Sequence, residues 1–298
     1  MESAQGISIC FVFQDNNIEV NRLLKSLTQI DLGNCVDIIA IDNFSRDNKA
    51  ICDIQALKQI SKFEHVNVQT IKNEKREPLP YNRNLCWKNS SGNIILFIDS
   101  DVEFIQEDFL NLIEINFTSQ GCDLIAPLIY GPHEEIQSLG LKRFHNIPYI
   151  FRFCRNSSVE SDVVDMIHGA CFGVKKKVFH DVGGFDEAMS PYNFDEMDFA
   201  IRAKLKNFVI KAFNNIQIRH YSGGTTGRFK QSERAFYFVR HAIRSIRKNY
   251  STLHGIFVTL FFIGAASLQV LMGSKSYYGA NVVIRSIVWN LQNSIINQ

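Results

Sequence analysis

Short apolar runs alternate with helical patterns through the first hundred residues. Ile7–Phe13 is a mostly apolar run of strand length, as a buried strand requires. Val20, Leu23, Leu24, Leu27 and Ile30 then recur at helical spacing. Val36–Ile41 predicts a second buried strand that ends in Asp42-Asn43. Ile51–Ile60 predicts a helix, Val66–Ile71 a third strand, and Tyr81–Asn89 a helix that stops near Ser90-Ser91-Gly92. Asn93–Ile98 predicts a fourth strand with Asp99 at its C-terminal end.

Strand and helix in alternation imply a mostly parallel sheet with helices on both faces. Ligands of such sheets bind outside the carboxyl ends of the strands, where Asp42 and Asp99 fall. Beyond Phe104 the pattern loosens. Phe109–Phe117 and Asp195–Lys206 read as helices, and Asp123–Leu128 reads as a strand. Gly131–Ser161 reads as irregular, and Val163–Val174 as strand-like. Arg234–Tyr250 predicts a helix with Phe236, Val239, Ile243, Ile246 and Tyr250 on one face. Arg240, Arg244, Arg247 and Lys248 lie on another. We therefore divide the chain into a domain over 1–230 and a C-terminal helical extension over 231–298.

The 298 residues carry a net charge of only +2, which argues against a dedicated nucleic-acid binder. Charge is nevertheless clustered: Arg219 to Lys248 holds eight Lys or Arg and one acid, Glu233, a pattern that favours an anionic partner. Thr252–Met272 contains no charge and is long enough to cross a bilayer, although its polar residues favour interfacial docking over a span. A basic helix before it suits an anionic membrane surface and would keep the preceding domain on the cytoplasmic face. The seven cysteines are scattered without a C-x-x-C pair, which fits neither a zinc site nor a disulfide framework and suits a reducing cytosol. Met1–Gly6 has no basic region, and Ile7–Phe13 is too short for a signal peptide.

Five segments carry candidate chemistry. Asp99-Ser100-Asp101 places two carboxylates at a strand end, where both can reach one hard cation beside a diphosphate. A solvated turn is the plainer reading. Asp42, at the next strand end, can accept a hydrogen bond from a base N–H or a ribose hydroxyl, or close an Asx-turn. Arg83-Asn84 can pair with phosphate or stack on a base. Gly183-Gly184-Phe185-Asp186-Glu187 precedes Asp195-Glu196-Met197-Asp198, whose acids either favour the helix N-terminus or include a general base. His220 follows a strand-like run and can ligate a transition metal.

Taken in order, these segments resemble family 2 glycosyltransferases, an inverting group with the GT-A fold. Ile7–Asn16 is similar to the family's opening strand, and Asp42-Asn43-Phe44-Ser45-Arg46-Asp47 to its D-N-x-S-x-D turn. Arg83-Asn84 matches its R-N pair, and Gly183–Glu187 its G-G-F-D-E segment. The family's E-D-x-D is here Asp195-Glu196-Met197-Asp198, and the glycine that ends its R-N-x-G is Cys86.

The resemblance implies a nucleoside-diphosphate sugar as donor, a divalent metal (Mn²⁺ or Mg²⁺), and a glycan or lipid-linked acceptor in surface polysaccharide or glycolipid assembly. It implies that Phe13, Asp15, Asp42, Arg83, Asp99, Ser100 and Gly169 line the donor site. It makes Asp99, Asp101 and His220 metal ligands, and Glu196 the base with Asp195 as alternative. A nucleotidyltransferase would want a Gly-rich basic loop after the first strand, and Gln14-Asp15-Asn16-Asn17 is neither. A non-catalytic sugar-nucleotide binder stays open at this point because of the Glu196 exchange. No G-x-G-x-x-G follows the first strand, which argues against a dinucleotide-binding dehydrogenase.

Overall fold

A computed structural model describes residues 6–143, 151–155, 158, 160–221, 230–251 and 280–293, with 253, 255–257, 259–261 and 264 between the last two segments. Strand β1 (Ile7–Phe13), helix α1 (Asn17–Leu27), β2 (Cys35–Asp42), α2 (Lys49–Ala56), β3 (Asn67–Lys72), α3 (Leu79–Asn89) and β4 (Ile94–Asp99) follow one another as the pattern predicts. The four strands stand in the order β3-β2-β1-β4, all parallel. After β1 the chain runs outward through β2 and β3, then returns to the other side of β1 as β4. That reversal leaves a crevice at the carboxyl ends of β1 and β4. The registers Phe13↔Asp42 and Val12↔Asp99 set Asp42, Phe13 and Asp99 side by side across it.

The rest of the chain extends the sheet beyond β4. It comprises β5 (Val102–Phe104), α4 (Phe109–Ser119), β6 (Leu124–Tyr130), β7 (Ile136–Ser138), β8 (Leu141–Arg143), β9 (Phe151–Phe153), β10 (Ser161–Val163), β11 (Cys171–Lys175), α5 (Lys176–Val182), α6 (Asp195–Leu205), β12 (Ile210–His220), α7 (Gln231–Asn249) and α8 (Ala280–Gln292). Strand β11 lies antiparallel between β4 and β6, and β12 pairs parallel with β6 and antiparallel with β5. The sheet is therefore mixed, with a parallel half and an antiparallel insertion. The stretch read as irregular, 131–161, contains three short strands. The strand-like run 163–174 is the end of one strand and most of another, joined by a buried connection: Val164, Met166 and Ile167 are covered but lie outside the ranges of β10 and β11. Apolar content alone does not separate those cases.

Helix α7 buries Val239, Ile243 and Ile246, as its apolar face predicts. Much of its basic face is tied to neighbouring elements rather than left to solvent alone. Arg244 and Lys248 both bind Asp186, at 3.0 and 3.1 Å. Arg240 lies over Trp289 of α8 at 4.3 Å. Arg247 donates to the Asn290 carbonyl of the same helix. Buried carboxylate and carbonyl partners on neighbouring elements outcompete water for these cations, which the sequence of α7 alone does not reveal. Helix α7, assigned to the extension from sequence, is thus fastened to the domain before it. Among the described residues no helix is long and apolar enough to cross a membrane. Most of the charge-free stretch 252–272 lies outside them.

Candidate active site

The crevice is organised around one guanidinium. Arg83 projects from α3 and is only 4% exposed. Its Nη1 donates to Asp195 Oδ2 at 2.7 Å and its Nη2 to the Gly169 carbonyl at 2.9 Å. Glu196 Oε2 lies 3.5 Å from Nη1, and Asp99 Oδ1 3.8 Å from Nη2. The group therefore reaches protein rather than open cleft, and any charge it lends a diphosphate acts from behind this network. The adjacent Asn84 fastens the other side of α3. Its Oδ1 accepts from Phe185 N at 2.8 Å, and its Nδ2 donates to Phe185 O and Glu187 Oε1. Gly184, at φ +77°, passes so close that a Cβ would sit 2.7 Å from Asn84 Oδ1, which explains the second glycine of the pair.

Asp195 and Glu196 open α6 but differ in setting. Asp195 is fully buried and anchors Arg83 through Oδ2, while among the described residues no hydrogen bond is made to its Oδ1. The Glu196 side chain is 15% exposed. Burial first, then the negative charge of Asp195, pushes the Glu196 carboxyl up to about 8, against the pull of Arg83. Gly169 leaves room for it: a Cβ there would lie 3.0 Å from Glu196 Oε1 and 3.3 Å from Arg83 Nη2. The turn that presents α6 is strained. Asn193 and Phe194 hold φ of 80° and 73°, which costs a residue such as Phe about 1–2 kcal/mol and Asn, which visits this region more readily, less.

On the other side of Arg83 lies an acidic cluster. One ligand-type atom from each of Asp99, Asp101 and His220 falls within 4.8 Å of the others. Asp99 ends β4 and Asp101 follows it, and His220, the last residue of β12, is brought beside them because β12 pairs with β5. Gln137 fixes the imidazole. Its Nε2 donates to the His220 carbonyl at 3.1 Å, so its Oε1 accepts from His220 Nδ1–H at 3.0 Å. The ring thereby turns Nε2 toward Asp101 Oδ1, at 3.3 Å. A neutral ring and a carboxylate would then face each other lone pair to lone pair. A proton or a cation between them removes that conflict. Burial lowers the His220 pKa, but Asp101 and then Asp99 outweigh burial and raise it, which favours a proton there. Burial and then Asp101 also push the Asp99 carboxyl up to about 6. Two carboxylates and an imidazole held by an amide through its second nitrogen fit a divalent transition ion such as Mn²⁺, and fit Mg²⁺ less well.

The remaining expected residues lie along the β1–β2 edge. Asp42 is fully buried, and its Oδ1 accepts from Ser45 N at 2.8 Å, the Asx-turn of the plainer reading. Its Oδ2 accepts no hydrogen bond among the described residues and has Lys72 Nζ at 3.6 Å. Asp15 N donates to Ser45 Oγ, and Asp15 Oδ1 accepts from Arg46 N, which ties the two loops together. Ser100 accepts from Asn16 Nδ2 at 3.2 Å. The Phe13 side chain is buried in the core, so only its backbone borders the crevice; its carbonyl accepts from Asn43 N. Sequence reasoning missed Gln137 and His168. The His168 ring stands 6.0 Å from that of His220 and takes the Ala170 N–H on Nδ1. The only signal was its position beside Gly169.

The fold defined by this parallel half-sheet, the antiparallel strand beside it and the acidic crevice is the GT-A fold. The chain belongs to glycosyl transferase family 2, whose sequence profile matches residues 9–183. A search of curated proteins gives no match. Among solved structures the chain is similar to GalNAc-T7 with UDP, GalNAc and Mn²⁺, at 13% identity and a TM-score of 0.61, over 99% of this chain and 59% of that one. It spans about three fifths of that relative's length. It is also similar to the mannosyltransferase PcManGT from Pyrobaculum calidifontis in complex with GDP-Man and Mn²⁺, at 12% identity and TM-score 0.59, over 98% and 89%. Residues 1–349 of S. aureus TarS give 15% identity and TM-score 0.54, over 84% and 68%.

Proposed function

We propose that the protein moves a sugar from a nucleoside-diphosphate sugar to a hydroxyl of an acceptor, with inversion at the anomeric carbon. The observation that carries this is the span of Arg83: one buried cation lies 3.8 Å from Asp99 on the donor side and 3.5 Å from Glu196 on the other. A carboxylate and an acidic cation site are thereby held on opposite sides of a gap beside Gly169.

In this reading Asp99, Asp101 and His220 hold Mn²⁺. The ion, when bound, offsets charge on the departing nucleoside diphosphate. Asp42 Oδ2, the buried oxygen without a hydrogen bond, accepts from the donor's nucleoside. Glu196 Oε2 takes the proton of the acceptor hydroxyl as its oxygen attacks the face opposite the leaving group. Asp195, sealed against Arg83, serves as anchor and not as base. A raised pKa suits the task, because a base works best near the ambient pH.

The test is a panel of sugar nucleotides screened by thermal shift with Mn²⁺, since a true donor stabilises the fold by mass action. The donor found is then assayed for nucleoside diphosphate release with wild type and Glu196→Gln. Binding by both with turnover by wild type alone supports the reading. Binding without turnover by wild type, across an acceptor panel, leaves a non-catalytic binder.

The C-terminal region supports docking on a bilayer. Leu253, Ile256, Phe257, Leu260 and Phe261 are 38–79% exposed and follow i, i+3, i+4, i+7, i+8 spacing, so one apolar stripe faces outward. Ile284, Val288 and Leu291 of α8 are exposed as well. Arg244 and Lys248 are engaged by Asp186, so the exposed apolar side chains supply the larger part of the attraction. A lipid-linked acceptor in glycolipid or polysaccharide assembly, met at the cytoplasmic face, suits that placement. Flotation with neutral liposomes that Phe257→Asp/Leu260→Asp abolishes supports docking. Equal flotation of both proteins sinks it.

A further inference from the structure

Helix α7 touches the segment before and after the α6 carboxylates at several points. His241 is fully buried, and its Nδ1 lies 2.7 Å from the Asn193 carbonyl. Its Nε2 lies 2.8 Å from Arg240 Nη2. A guanidinium only donates, so Nε2 is the acceptor, and Nδ1 carries the proton that goes to Asn193. The imidazole is neutral in a single tautomer. Arg240 Nη2 donates its other hydrogen to the Ser190 carbonyl. Asn193 Nδ2 donates to the Arg234 carbonyl at 3.3 Å, and Phe194 packs edge-on against Phe238 at 5.3 Å. One turn further on, Asp198 accepts from Ser245 Oγ at 2.7 Å and from Asn249 Nδ2 at 2.9 Å.

These contacts bracket Asp195 and Glu196. They converge on the two left-handed residues, Asn193 and Phe194, whose backbone no glycine eases. Phe194 is the residue from which α6 starts, so its φ sets the direction in which the first helical turn leaves. Without an outside hold, the turn would relax toward ordinary backbone and swing Glu196 off Gly169. No group of α7 in this set touches the cation cluster or the Asp42 edge.

We propose that His241, with Arg240 behind it, is a positioning residue for the transfer reaction: it holds the strained Asn193–Phe194 turn that aims Glu196. The inference rests on the reading of Glu196 as base. It splits the effect of a mutation, with catalysis lost and donor affinity kept. It also singles out a suppressor, because glycine at 193 adopts the left-handed backbone without strain.

The experiment uses the full chain and the donor that the panel identifies. His241→Ala should lower kcat about tenfold or more with donor Kd within twofold, and should speed amide exchange in peptides spanning 193–199 but not in β1–β4. His241→Asn keeps an N–H donor near the Nδ1 position and should restore most of kcat, as should Asn193→Gly on the His241→Ala background. Turnover of His241→Ala within twofold of wild type, while Glu196→Gln is inactive, overturns the inference and spares the functional reading. So does a loss that neither second variant repairs and that comes with faster exchange throughout the sheet. A wild type that turns over no donor sinks the functional reading itself.

Discussion

Arg83 Nη1 and Asp195 Oδ2 meet at 2.7 Å although 112 residues separate them in the chain. Both side chains are almost wholly shielded from water, at 5% and 0% exposure. The pair joins the helix that precedes β4 in the parallel half of the sheet to the helix that carries the candidate base. Removal of one partner strands a buried charge, at a cost of about 3–5 kcal/mol. Arg83→Ala should therefore lower the unfolding midpoint by several degrees as well as abolish transfer. Arg83→Lys keeps a charge but loses the fork that also holds the Gly169 carbonyl, so it should lose activity with a smaller fall in stability. An unchanged midpoint for Arg83→Ala in a thermal melt would contradict the role given to this pair.

Glu196 gives a prediction with a sign. A base must be unprotonated, so kcat/KM should rise with pH, with a midpoint well above the usual carboxylate range and toward 8. Stability should move the other way. Between its ordinary value near 4.5 and about 8 the folded protein holds a proton that the unfolded chain has released, so stability falls as pH rises through that window. Glu196→Gln removes this dependence. Its melting temperature should gain on that of wild type, by a few degrees, from pH 5 to pH 9. A gap that stays constant across that range would refute the shifted carboxyl.

The cation site is testable without any donor. Mn²⁺ should raise the melting temperature of wild type in a saturable way and should not raise that of Asp101→Ala. Gln137 does not touch the ion in this scheme but sets the His220 tautomer. Gln137→Ala should weaken Mn²⁺ affinity by roughly 10–100-fold, the range for such outer partners. Identical Mn²⁺ titrations for wild type and Asp101→Ala would remove the site.

Gly169 offers a steric probe. Alanine there puts a Cβ at 3.0 Å from Glu196 Oε1 and 3.2 Å from its Cδ, tight enough to push the carboxylate aside. Small displacements of a reacting group cost on the order of 10²-fold in rate. Gly169→Ala should cut kcat by about that factor while the melting temperature moves by only a degree or two. Loss of fold and activity together would mean that the glycine serves the core rather than the site.

Much of this was legible in the chain itself. The strands β1, β2 and β4 are short buried runs, and burial on both faces writes itself into sequence as continuous apolar residues. The D-N-F-S-R-D and D-S-D segments start at the ends of β2 and β4, at positions that a parallel sheet sends to one edge, whereas R-N lies within α3 and G-G-F-D-E follows α5. His220 stood out only by its place after a strand-like run, and the family resemblance alone suggested it as a metal ligand. Which carboxylate is accessible could not be read. Asp195 and Glu196 are neighbours in sequence, and only the approach of Arg83 from α3 seals one and leaves the other partly open.

The fate of the α7 cations shows the same limit. Local pattern put Arg240, Arg244 and Lys248 on a polar face, and local pattern had no means to see Asp186 or Trp289 waiting there. The amino-acid order determined the alternation of strand and helix, the parallel half of the sheet and the identity of its acidic edge, because each follows from periodicity within a dozen residues. Only the tertiary structure decided that β11 enters antiparallel, that Gln137 turns His220, and that His241 grips the turn before Glu196. Those contacts join residues far apart in the chain, and their energies depend on geometry that no local spacing encodes.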